Sequence, residues 1–203
     1  MCNRFKVSFV LVLIVGGCSG SAARMKPPSI NPSAAASQAM ELYDADHDGK
    51  LSQAEAAKCP GVLVAFDRYD SNHDKLIDAP EFEEHLQGLL KHGTGGTQLS
   101  CNVIYDGRPL ADATVVLEPE PYLGSDIQPA EGVTAPYGAA RVGIPADKLP
   151  SSLQRVKLIQ YGTFKVRVTH PKLKIPARYN TETTLGYETI PGDPSTSFTL
   201  TSK

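Results

Sequence analysis

The stretch DADHDGKLSQAE, Asp44 to Glu55, sets oxygen-bearing residues at a fixed rhythm. Asp44, Asp46, Asp48, Ser52 and Glu55 fall at positions 1, 3, 5, 9 and 12, and Gly49 falls at position 6. A twelve-residue calcium loop takes its oxygens from positions 1, 3, 5, 7, 9 and 12, with position 7 acting through its backbone carbonyl (here Lys50). Position 9 often acts through a water, position 12 binds with both oxygens, and glycine at 6 makes the sharp bend. Every position fits. Twenty-six residues later the chain repeats the pattern as DSNHDKLIDAPE, Asp70 to Glu81, which offers Asp70, Asn72, Asp74, the Leu76 carbonyl, Asp78 and Glu81. Its departure is Lys75 at position 6, where a side chain held at positive φ costs about 1 kcal/mol. Each loop carries four ligand carboxylates, a charge suited to Ca²⁺, whereas Mg²⁺ prefers a tighter octahedron with more retained water. The residues therefore predict two Ca²⁺ sites, the second weakened by Lys75. His47 and His73 stand at position 4, where side chains point to solvent, and are not assigned as ligands.

The flanking sequence separates this reading from two solvated acidic turns. Ala36, Ala39, Met40 and Tyr43 recur at helical spacing before the first loop, and Val62, Ala65, Phe66 and Tyr69 do so at the same offsets before the second. A third helix, with Phe82, His85, Leu86 and Leu89 on one face, follows Glu81. Leu51 and Ile77 hold position 8 of the two loops and are placed to pair. Residues 33–92 thus resemble the EF-hand family, and the resemblance implies an all-α EF-hand pair. Pro60 cuts the first exit helix short, which implies a compact, constitutive site more than one that opens a target groove.

From Thr97 the apolar period changes from 3.6 to 2. Leu99, Cys101, Val103 and Tyr105 share a face; Asp106-Gly107 is a hairpin turn; Ala113, Val115 and Leu117, then Phe164, Val166 and Val168, then Phe198 and Leu200, point inward. Glycines at 93, 95 and 96 mark the boundary before this region. The stretches YDGRPLADATVVLEP, GTFKVRVTHP and IPARYNTETTLGYE resemble the carboxypeptidase regulatory-like (transthyretin-like, prealbumin-like) β-sandwich, which implies that fold over residues 97–203 and no chemistry. The expected architecture is therefore α+β in two domains, an all-α EF-hand pair followed by an all-β transthyretin-like sandwich. The segment 118–136, rich in proline and acid, is an excursion or a site. Glu118, Glu120, Asp126 and Glu131 lie in it without apolar context and read as solvated surface. No phosphate loop, nucleophile elbow, HExxH or Ser/His/Asp set is present, and no enzyme activity is expected.

The amino terminus reads as an export signal. A basic start, MCNRFK, precedes the apolar run VSFVLVLIV, too short to span a bilayer. VGGC, Val15 to Cys18, resembles the lipobox of bacterial lipoproteins, which implies a signal over 1–18, lipidation of Cys18 and attachment to a membrane. Residues 19–32, rich in Ser, Ala and Pro, read as a flexible tether. Cys59 and Cys101 then remain, an even number in an exported chain; they could form a disulfide or serve as core residues. Net charge is −2 overall, and residues 38–92 carry 12 acidic against 5 basic side chains. That balance gives no basic nucleic-acid face. The expectation is a calcium-binding, lipid-anchored, extracytoplasmic cell-envelope protein, outer membrane or cell surface favoured, whose sandwich contacts an envelope protein or glycan. An extracytoplasmic calcium sensor that switches partners is the alternative, and a small exported hydrolase comes after it.

Overall fold

The computed structural model describes residues 24–91 and 95–203. The expected signal segment 1–18, the lipidation site Cys18 and residues 19–23 of the tether lie outside them. The first helix, α1 (Pro32–Tyr43), starts where Asn31 accepts the Ala34 N–H, and Pro32 occupies a position whose N–H would have no partner. It buries Ala35, Ala36, Ala39 and Tyr43 and ends at Asp44. There follow β1 (Lys50–Ser52), α2 (Gln53–Ala56), α3 (Pro60–Leu63), α4 (Phe66–Tyr69), β2 (Leu76–Asp78) and α5 (Ala79–Leu90). The periodic run through Val62 and Tyr69 forms two short turns, α3 and α4, in place of one helix, and Val62, Ala65, Phe66 and Tyr69 are nonetheless all buried.

The all-α domain expected over 33–92 does not form. Its helices are short, a two-stranded sheet joins β1 to β2 at its centre, and its apolar side chains run without a break into those of the following strands as one hydrophobic cluster. The physical reason lies in where the apolar faces find partners. Phe82 of α5 meets Tyr122 edge-on at 5.0 Å, and α3 lies flat on the strands that follow. That contact depends on glycine: a Cβ on Gly61 would come within 2.8 Å of the Phe164 backbone nitrogen, and one on Gly186 would meet the Pro60 carbonyl. Residues 24–31, expected as tether, also lie on the fold. Met25 is buried against Gly96, and the Ser29 N–H donates to Asp126 Oδ2 (3.0 Å).

The remaining strands are β3 (Gly96–Thr97), β4 (Leu99–Tyr105), β5 (Arg108–Pro109), β6 (Thr114–Pro119), β7 (Ala130–Val133), β8 (Ala139–Val142), β9 (Ile159–Gln160), β10 (Thr163–Thr169), β11 (Gly186–Glu188) and β12 (Ser195–Leu200). One antiparallel sheet runs β11-β10-β6-β7. In the other, β4 pairs with β12 in parallel and with β5 and β8 in antiparallel. The arrangement is sandwich-like, and the inward positions follow the period of 2: Val115, Leu117, Phe164, Val166, Val168, Val103 and Leu200 are buried. Asp106 and Gly107 both hold positive φ, as a two-residue turn between twisted strands requires. The 118–136 segment carries the end of β6, one 3₁₀ turn (Pro121–Leu123) and β7, and it buries Tyr122, Leu123 and Ile127. The described residues are thus more β than α, with five short helices packed against the sheets.

Candidate metal centre

The two acidic loops share most of their hydrogen bonds; in the second loop the Asp74 N–H also reaches Asp70 Oδ1 (3.1 Å), and the first loop has no equivalent bond to Asp44 Oδ1. At position 6, the Gly49 N–H donates to Asp44 Oδ2 (2.9 Å) and the Lys75 N–H to Asp70 Oδ2 (2.9 Å). At position 5, the Asp48 N–H donates to Asp46 Oδ1 (3.2 Å) and the Asp74 N–H to Asn72 Oδ1 (2.7 Å). At position 7, Lys50 and Leu76 donate to Asp48 Oδ1 (2.8 Å) and Asp74 Oδ1 (2.9 Å). Positions 4 and 6 hold left-handed φ in both: His47 +60° and Gly49 +84°, His73 +62° and Lys75 +67°. Lys75 therefore adopts the backbone that glycine adopts freely, at the steric cost its Cβ imposes. Between the loops, Leu51 and Ile77 face each other across β1 and β2, both buried, with Lys50 opposite Asp78 and Ser52 opposite Leu76.

The last residue of each loop folds back over it. Glu55 accepts the Ala45 N–H (2.8 Å) at one oxygen, and the Ser52 N–H (2.9 Å) and hydroxyl (2.8 Å) at the other. Glu81 accepts from the Ser71 and Asn72 N–H groups (3.1 Å each) and from the Asp78 N–H (3.1 Å). Ser52 and Asp78 cap α2 and α5, and each forms a capping box with the glutamate three residues on. The bonds from Ser52 and then from Ala45 hold the Glu55 carboxyl down to about 2, so it is ionised at any physiological pH.

The structure brings carboxylates together most closely in the first loop, where ligand oxygens of Asp44, Asp46 and Asp48 lie within 4.8 Å of one another. Asp44 is 7 % exposed, and its Oδ1 is buried without a hydrogen-bond partner among the described residues. A buried carboxylate oxygen without a hydrogen bond is costly, and a cation supplies what it lacks. In the second loop Asn72 replaces one carboxylate, and Asp74 Oδ2 is paired with Lys50 Nζ (3.1 Å), which reaches across from the first loop. Both members of that pair are over a third exposed, so it adds little to stability. The donor set of the first loop, all hard oxygens around a tight bend, fits Ca²⁺; the second presents the same frame with less free charge.

Two buried glutamates moor these loops to the sheets. Glu120, expected as solvated surface, is fully buried. It accepts the Tyr43 hydroxyl (3.3 Å) and the Gly61 N–H (3.1 Å), with Lys165 Nζ at 3.7 Å. Tyr43 ends the helix that enters the first loop. Burial pushes the Glu120 carboxyl above its usual range, against the pull of the Gly61 N–H and Lys165. Burial, and then Glu120, also push the Cys59 thiol up. Glu188, at the sheet edge, takes Arg68 Nε (2.8 Å) and lies 2.9 Å from His85 Nε2. These two residues lie just before and just after the second loop. Glu118 pairs with Arg167 (2.9 Å) at the surface. Asp126 and Glu131 remain surface groups.

Cys59 and Cys101 are free thiols, both buried, and the disulfide left open by the sequence does not form. Cys59 sits among Tyr43 and Glu120, while Cys101 lies on β4 opposite Ala140 of β8. Burial pushes the Cys101 thiol up to about 11, which keeps it protonated and unreactive. No described helix is long and apolar enough to cross a membrane. Comparison with protein-family models, with curated proteins and with solved structures found no match.

Proposed function

We propose that the protein is a calcium-stabilised component of the cell envelope, anchored by lipid at Cys18, whose sheets contact a partner protein or glycan. The observation that carries the calcium reading is the first loop: three carboxylates gathered around a buried, unpartnered Asp44 oxygen, in a frame the second loop repeats. Asp44, Asp46, Asp48, the Lys50 carbonyl, Ser52 and Glu55 would hold one ion. Asp70, Asn72, Asp74, the Leu76 carbonyl, Asp78 and Glu81 would hold a second. The ion's role here is charge neutralisation; the chain's own residues do the rest, fixing each loop through its carboxylate-to-backbone bonds. The export signal and lipobox resemblance support an extracytoplasmic setting, where calcium fills sites of about 10⁻⁴–10⁻³ M affinity.

A structural role is favoured over a sensor because both loops are tied into the sheets by Glu120 and Glu188, leaving no separate helix pair to open. Thermal melting of the full chain in neutral detergent, with calcium and with chelator, tests this. An ion at about a hundred times its Kd adds roughly 2.7 kcal/mol per site. For a chain of this size that raises Tm by about 5–10 °C. A Tm indifferent to chelator would overturn the calcium reading.

A further inference from the structure

We propose that the cavity between the start of β4 and the segment leading into β9 binds a phosphoryl group, free or as the headgroup of a phospholipid. The cavity, of about 240 Å³, is lined by Arg141 of β8, by Arg155 and Lys157, by Gln98 and Ser100 at the start of β4, and by Pro194. No lining residue is acidic, and none of the three cations takes part in an ion pair among the described residues. Three like charges line one cavity with no acidic side chain among its walls, which gives the cavity a positive potential that favours an anion. The absence of ion pairs sets this cluster apart from Glu120 and Glu188, whose partners hold helices to sheets.

The walls are fixed before any ligand arrives. The Ser100 N–H donates to the Pro194 carbonyl (2.7 Å), Ser100 lies opposite Arg141 across β4 and β8, and the Ile144 N–H donates to the Leu158 carbonyl (2.8 Å). The stem of Lys157 rests on Gly143, where a Cβ would come within 2.8 Å of it, so the lysine is seated along the strand end. A guanidinium presents paired donors that match phosphate oxygens, and an ammonium adds a point charge. The cavity falls below the roughly 300–1,000 Å³ of a drug-sized pocket, so it suits a phosphoryl group with a short substituent.

The test titrates inorganic phosphate, and separately dihexanoyl phosphatidic acid below its micelle concentration, into the full chain in neutral detergent at constant ionic strength. Amide NMR reads Ser100, Arg141 and Lys157, with chloride as control. The expected result is saturable shifts at these residues with at least one phosphate probe, and none with chloride. Affinity should fall about tenfold for each charge-assisted hydrogen bond removed in R155Q and R155Q/K157Q. Tighter binding of the lipid than of phosphate identifies a headgroup site, and equal binding identifies a site for soluble phosphate or its esters. Absence of saturable shifts with both probes overturns the proposal, as does binding unchanged in R155Q/K157Q. R141Q, exposed on β8, supplies an independent variant should the loop change perturb the fold.

Discussion

The two loops share one backbone and the same number of carboxylates, and differ in where that charge sits. Asp44–Glu55 and Asp70–Glu81 share the bond from position 6 back to position 1, the left-handed turns at positions 4 and 6 and the capping boxes; only in the second does the position 5 N–H also donate to position 1. Only the first gathers three carboxylates and leaves one buried oxygen without a partner; the second has Asn72, a strained Lys75 and an Asp74 already paired to Lys50. The comparison teaches that the frame and the affinity of such a loop are set by different residues. Turn geometry comes from local hydrogen bonds, and ion binding comes from the charge left over once those bonds are made.

Removing the loops' common floor should have the largest effect. Leu51→Ala should cost about 2–5 kcal/mol in chemical denaturation, because the buried Leu51/Ile77 pair supports both loops at once. It should weaken calcium binding at both sites; loss at the first alone would show that the loops fold independently. The moorings separate them. Glu120→Ala should cost about 1–3 kcal/mol by leaving the Tyr43 hydroxyl and the Gly61 N–H unpaired, and should weaken the first site more than the second. Glu188→Ala should do the reverse through Arg68 and His85.

Glu120 also carries a pH signature. Its carboxyl is raised in the folded chain, so its contribution is fullest below the unfolded value, near 4.5, and is lost as pH rises through the higher folded value. Glu120→Gln, which keeps an acceptor for Gly61, should remove that loss and raise stability near pH 7 relative to pH 5. An unchanged pH profile in melting experiments would contradict it. Smaller still, Lys75→Gly should relieve about 1 kcal/mol of strain and tighten the second site about fivefold, read by calcium titration. Lys50→Met should leave the denaturation midpoint essentially unchanged, because the pair it removes is exposed to solvent.

What could be read from the sequence was local. Loop spacing fixed which residues carry oxygens, position 8 fixed the Leu51/Ile77 contact, and alternation fixed the inward faces of β4, β6, β10 and β12. What escaped was long-range. Glu120 looks solvated between two prolines, yet the helices cover the second face of the sheet at that end. A signal was present: IQYGTF, residues 159–164, carries no charge and is buried throughout, whereas the following KVRVT alternates. An uncharged run of that kind marks a strand end covered on both faces. The same covering undid the expected all-α domain, since Pro60 and Gly61 place α3 on the sheet and Gly186 admits it.

The most direct test is calorimetric titration of calcium into the full chain and into Asp44→Asn, which keeps an acceptor for the Gly49 N–H while removing one charge. Two binding events are expected in the native chain, the tighter one lost in the variant. Two unchanged events in Asp44→Asn, or no binding at millimolar calcium in the native chain, would contradict this expectation.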